Sequence, residues 1–242
     1  MADLQQLQAK RLANWRETPS TRVPDSAVAA QLIGQVGIAT LFPASPEIPN
    51  LFHAHAGDPY ARPESEWDSP AGQVYGWRWE LGRSQAAFYT AIVRNRPTWV
   101  SWKLLPALLQ VRGDLRTPEQ IYQAGELSND ALRIAQALEQ TGGVLSTGEL
   151  RRIAGFPTGK PQRAAYLKAI EELDTRLLLA KVFSEDDLDK RLIQLLIMKP
   201  CSFTSLTQSL AKHGFSSSYR MFFRSQNEKT FDTKVLNLWR ST

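Results

Sequence analysis

Residues 128–183 read SNDALRIAQALEQTGGVLSTGELRRIAGFPTGKPQRAAYLKAIEELDTRLLLAKVF, and this stretch decides the fold. Ser128 stands where an N-cap belongs, ahead of a segment whose apolar residues Leu132, Ile134, Ala135 and Leu138 keep helical spacing. Thr141-Gly142-Gly143 stops that helix, because glycine tolerates the left-handed conformation past a helix end. Ser146-Thr147-Gly148-Glu149 is a Ser-x-x-Glu capping box that opens a short helix through Ala154. Gly155 to Gly159 forms a turn, and Pro161 falls at the first position of a third helix, where its missing N–H costs nothing. That helix is expected to bury Tyr166, Ala169, Ile170 and Leu173 and to point Lys160 and Lys168 elsewhere, with Arg163 on its flank. Leu177 to Phe183 is apolar and β-compatible, as the first strand of a wing would be. Three helices with a tight second turn and a following strand predict a winged helix-turn-helix, a shape that reads DNA.

Charge along this stretch favours the same partner. Arg151, Arg152, Lys160, Arg163 and Lys168 crowd the part that would meet phosphates, while Glu171, Glu172 and Asp174 gather at the far end. Lysine and arginine on such helices neutralise phosphates, so double-stranded DNA is the expected partner. Lys181, on the wing strand, is a further candidate. Winged helices also serve as protein-docking modules, so a docking role without DNA contact is the competing expectation.

The whole chain, 242 residues with net charge +5, has room for one large domain or two small ones. Its positive excess is uneven: residues 190–242 carry a net +7 and residues 1–189 a net −2. A polyanion partner suits this charge without being required by it. The single cysteine, Cys201, excludes an internal disulfide framework and a cysteine-rich zinc site. The N-terminus lacks a charged-then-apolar signal pattern, and no apolar run approaches the ~20 residues of a membrane span. A soluble, cytoplasmic protein is expected, with no membrane association.

From the N-terminus, Leu4 to Trp15 predicts an amphipathic helix with Leu4, Leu7, Leu12 and Trp15 near one face. Asp25 or Ser26 caps a second helix to about Gly34, and Gly37 to Phe42 is a short apolar segment closed by Pro43, Pro46 and Pro49. Residues 57–72 read as a turn-rich loop. Trp77 to Arg94 reads as one helix, with Trp77, Leu81, Phe88 and Ile92 inward. Thr98 to Trp102 reads as a short strand, Ser101 as a cap for Lys103 to Val111, and Thr117-Pro118-Glu119 as the start of a helix to Gly125. No internal repeat is visible. Five of the seven tryptophans fall between Trp67 and Trp102, which core packing accounts for; an exposed one beside a basic surface would instead offer a stacking platform for an unpaired base.

Two passages, Leu32 to Gly57 (LIGQVGIATLFPASPEIPNLFHAHAG) and Gly76 to Leu109 (GWRWELGRSQAAFYTAIVRNRPTWVSWKLLPALL), together resemble the AlkZ/YcaQ-related winged-helix DNA glycosylases. The similarity spans about Asp25 to Asp186. It implies tandem winged-helix units and metal-free excision of alkylated or cross-linked bases from duplex DNA. The family's catalytic signature is Gln-apolar-Gln or Gln-apolar-Asp, whose polar side chains position water against the anomeric carbon of a sugar gaining positive charge. Here the matching stretch reads Gln35-Val36-Gly37-Ile38-Ala39, which keeps only Gln35 in one register and neither position in the other. The resemblance therefore carries fold and DNA affinity but not an intact active site.

Substitutes for the missing group are Glu66 and Asp68, beside Glu64 and Trp67, since a carboxylate with an aromatic neighbour can activate water and hold a flipped base. His53-Ala54-His55 has strand spacing that would set both rings on one face, but no third ligand stands at a diagnostic spacing, so no metal is expected. No glycine-rich phosphate loop appears, so no nucleotide cofactor is expected either. The expected architecture is mainly α with small β elements, built of tandem winged-helix-like units. Residues 1–125 form a mostly helical, winged-helix-like region, 126–189 a winged helix-turn-helix, and 190–242 a basic tail. The expected function is duplex DNA binding by a catalytically reduced relative of alkylation-repair glycosylases. The alternatives are an active glycosylase using Gln35 or the Glu66/Asp68 loop, and a transcriptional regulator or docking module.

Overall fold

A computed structural model describes residues 2–114, 116–141, 145–156, 159–183 and 191–195. The last five are described through their backbone, and the expected basic tail beyond them lies outside the described residues. The helices are α1 (Ala2–Asn14), α2 (Ser26–Val36), α3 (Leu51–Ala56), α4 (Pro70–Arg83), α5 (Leu105–Arg112), α6 (Pro118–Gln123), α7 (Asn129–Thr141), α8 (Thr147–Ile153) and α9 (Lys160–Thr175). The strands are β1 (Ile38–Thr40), β2 (Phe88–Val93), β3 (Arg96–Val100), β4 (Leu145–Ser146), β5 (Leu179–Phe183) and β6 (Arg191–Leu195). The fold is mainly α with two small antiparallel sheets.

Side-chain caps set most helix starts. Asp25 accepts from the Val28 N–H at 2.9 Å, which satisfies one of the donors a helix start leaves open. Thr117 with Gln120, and Ser146 with Glu149, form complete capping boxes at α6 and α8. Ser128 Oγ accepts from the Ala131 N–H at 3.2 Å and opens α7, as its position predicts. Pro161 sits one residue inside the start of α9, which begins at Lys160 after a glycine cap.

Two stretches adopt a different structure from their spacing. The helix expected over Trp77–Arg94 ends at Arg83: Gln85 takes a φ of 52°, and the β-prone run Phe88–Val93 becomes β2. His53 and His55 lie on helix α3 rather than a strand, because the Asn50 side chain accepts from the His53 N–H and caps that helix. Their rings consequently diverge. His55 Nδ1 meets the Val23 carbonyl at 2.8 Å and His53 Nε2 the Ala61 carbonyl at 3.2 Å. Helix α1 forms as expected, yet only the end of its apolar stripe is covered: Leu4 and Leu7 are 73% and 58% exposed, while Leu12 and Trp15 are partly buried.

A repeat invisible in the sequence emerges in the topology. Residues 26–100 run α2–β1–α3–α4–β2–β3 with sheet order β1-β3-β2, and residues 129–195 run α7–β4–α8–α9–β5–β6 with order β4-β6-β5. Both modules are helix-strand-helix-helix-strand-strand with the third strand central. β6 begins at Arg191, so the second sheet takes in residues that composition alone assigns to the basic tail.

Each module has its own core. Leu32, Ile33, Leu41, Leu51, Leu81 and Trp99 centre the first. Ile134, Leu150, Tyr166 and Leu173 centre the second. Burial of each such side chain is worth ~1.5–3 kcal/mol. Phe183, at the end of β5 in the second module, nevertheless belongs to the first core. Its ring centroid lies 5.4 Å from Tyr89, 5.6 Å from Trp79 and 6.0 Å from Trp99. Gly82 on α4 makes this seat possible, since a Cβ there would lie 2.3 Å from the Phe183 ring.

Gly82→Ala should therefore destabilise the chain by about 2 kcal/mol or more through overpacking. Phe183→Ala should cost about 3–5 kcal/mol through an unfilled cavity. Denaturant unfolding measures both. A Gly82→Ala variant as stable as the parent would show that the ring has room to move aside.

Candidate nucleic-acid interface

Helices α8 and α9 carry Arg151, Arg152, Lys160, Arg163 and Lys168 of the expected DNA contacts, and Lys181 lies on β5. The turn between them is fixed by Arg133 on α7, whose guanidinium donates to the Ala154 and Gly155 carbonyls, each at 2.7 Å, and lies over the Phe156 ring. Gly155 takes a φ of 73°, which an L side chain rarely adopts. Sequence spacing gave no sign of Arg133, since one arginine on an exposed helical position looks like any other.

The two helices contain four acidic residues, and all four are committed to intramolecular bonds. Glu149 closes the α8 capping box. Glu171 accepts from the Asn95 side chain, and Glu172 accepts from both the Ser128 N–H and its hydroxyl. Asp174, only 2% exposed at its side chain, accepts from Thr90 Oγ1 at 3.1 Å and pairs with Lys181. The cations are placed differently. Arg152, Lys160, Arg163 and Lys168 are exposed and form no ion pair among the described residues, while Arg151 is half-buried. The surface of α8 and α9 therefore presents positive charge without a neutralising partner, which is the arrangement a polyanion meets.

Lys181 stands apart from that set. Its side chain is 13% exposed, its ammonium is held by Asp174, and it lies 5.4 Å from the centre of the Tyr89 ring. Removing one partner of such a buried pair strands the other charge. Lys181 thus joins the modules at their seam instead of the exposed basic face.

The residues considered for catalysis are dispersed. Gln35 lies exposed on the last turn of α2, and its side-chain oxygen accepts from Arg16 at 3.3 Å. Gly37 has a φ of 84°, and a Cβ there would come within 3.1 Å of Leu104. Ala39 is fully buried in the first core. Neither position can present a polar group to water. Glu66 and Asp68 are exposed on either side of Trp67, itself 76% exposed with its edge against Tyr75. No described contact joins this loop to Gln35.

A buried carboxyl outside these candidates is Glu17, 4% exposed, 3.8 Å from His53 Nδ1. Burial pushes its pKa up to about 7, and burial likewise holds His53 below its ordinary value. Burial thus disfavours the charged form of both groups, so the contact is not a fixed ion pair. Among the described residues no three His, Cys, Asp or Glu side chains gather as a metal would require, and no helix is long and apolar enough to cross a membrane.

A pair of helices with exposed basic residues stands on a mainly α frame of two modules, and among the described residues no further catalytic group gathers beside Gln35. The chain belongs to the AlkZ-related family, whose model matches residues 23–192, and this relates it to DNA-repair glycosylase-like proteins. Comparison with curated proteins and with solved structures returns no match.

Glu17 sets a pH signature. Its folded pKa of about 7 exceeds the ordinary value of 4.5, so its contribution is fully present below 4.5 and is lost as pH rises towards 7. Glu17→Gln should match the parent below pH 4.5 and exceed its stability by about 3 kcal/mol at pH 8. An offset independent of pH would contradict this assignment.

Proposed function

We propose that the protein binds duplex DNA through α8 and α9 and that it is a catalytically reduced member of a glycosylase lineage. The observation that carries this reading is the imbalance on those helices: every acid is bonded within the protein, while the side chains of Arg152, Lys160, Arg163 and Lys168 are exposed and form no ion pair among the described residues. Each module is a winged helix, α7–β4–α8–α9–β5–β6 being the copy that meets DNA and α9 its recognition helix. Lysine and arginine contacts to phosphate supply affinity, and Arg163 is placed to reach a guanine edge.

Catalytic reduction follows from either register of the motif. In one, Gln35 is followed by a glycine with positive φ where the second water-positioning group is required; in the other, that glycine and the buried Ala39 stand at both positions. Glu66 and Asp68 are exposed on a loop that no described contact joins to Gln35.

The double variant Arg163→Ala/Lys168→Ala should bind a short duplex roughly tenfold or more weakly at moderate salt, with a salt slope shallower by about two. Fluorescence anisotropy across a salt series measures both quantities. Unchanged affinity would end the assignment of α9 as the DNA-contacting helix.

A further inference from the structure

The two modules share a topology but offer different surfaces. In the first module, α4 occupies the place that α9 holds in the second, and it is covered: Trp77, Arg78, Leu81 and Gly82 are all buried, with Phe183 of β5 seated against Gly82. The exposed residues of α4, Pro70, Gln73 and Glu80, include no cation to meet a phosphate. The first module's outward feature on this side is the β2–β3 hairpin. Its tip residues Arg94 and Asn95 take φ values of 47° and 58°, the left-handed pair of a tight two-residue turn.

The hairpin tip is fastened beside α9. Asn95 donates to Glu171, and Asn95 and Ala91 line a cavity of about 300 Å³ whose other wall includes Leu167 and Glu171. Glu171, Leu167 and Arg163 follow each other at intervals of four along α9 and so share one stripe. Arg163 stands two turns from the hairpin contact, roughly 12 Å along the axis, a distance comparable to the width of a DNA major groove. At the tip, Arg94 donates to the Ala44 carbonyl at 3.0 Å and lies near Glu47. Arg96 is exposed, and its side chain forms no ion pair or hydrogen bond among the described residues.

We propose that the hairpin tip and α9 form one composite duplex-contacting surface, in which Arg96 of the first module holds the phosphate backbone flanking the groove that α9 enters. This rests on the reading of α9 as the DNA-contacting helix. The first module then contributes a clamp in place of its own third helix, and the Asn95–Glu171 bond holds that clamp in position. The cavity between them is spanned by groups already bonded to one another, so it serves as the gap between two contact points and not as a ligand pocket.

The test uses the full chain and a 20-base-pair duplex, with anisotropy read across a salt series. Arg96→Ala should weaken binding about fivefold and make the salt slope shallower by about one, with the melting temperature unchanged because the side chain is exposed. Arg96→Lys, which keeps a phosphate-binding charge, should restore both. If Arg96→Ala binds like the parent while Arg163→Ala/Lys168→Ala is weakened, the composite surface is overturned and the α9 reading stands. If neither variant is weakened, both readings fall together.

Discussion

The seat of Phe183 is the constraint on which the remaining structure depends. One aromatic ring from β5 completes the first module's core among Trp79, Tyr89 and Trp99, and its approach requires a glycine at position 82. Beside it, Asp174 is held between Thr90 and Lys181, so a buried polar bridge accompanies the apolar one. Such a bridge adds little net stability over an apolar equivalent, but losing one partner is costly, which favours a single relative placement of the modules. The ring supplies the energy and the charged bridge narrows the geometry.

That placement makes two topological copies unequal. Helix α4 buries Trp77, Arg78, Leu81 and Gly82 and exposes no cation, while α9 keeps its basic edge open and gives only its C-terminal half to the seam. The acids of α9 lie in that half, where Asn95, Ser128, Thr90 and Lys181 engage them. Seam formation and exposure of positive charge are thus two consequences of one arrangement of residues along a single helix.

Much of the second module was legible in the sequence because caps and periodicity are local. Ser128, the Ser146/Glu149 box and the burial of Tyr166, Ala169, Ile170 and Leu173 all follow from neighbours a few positions away. The first module was harder. Trp77, Leu81, Phe88 and Ile92 keep a spacing that suits one long helix, and only the turn at Ser84-Gln85 and the β-branched content of Phe88–Val93 argue otherwise. Asn50 was a readable cap signal that the spacing of His53 and His55 obscured. The repeat was illegible because a covered helix (PAGQVYGWRWELGR) and an edge-exposed one (KPQRAAYLKAIEELDT) need different residues to occupy the same topological place. The burial of Lys181 and the contact between Asn95 and Glu171 depend on residues far apart in the chain, which no local pattern encodes.

The most direct measurement is binding of the full chain to undamaged and abasic-analogue duplexes as salt is varied. The account predicts binding whose logarithm falls linearly with the logarithm of salt concentration, at a slope near −0.9 for each phosphate contacted, and tighter binding to the abasic site. Absence of binding, or affinity that vanishes when residues 199–242 are removed, would contradict it and leave α8 and α9 as scaffold.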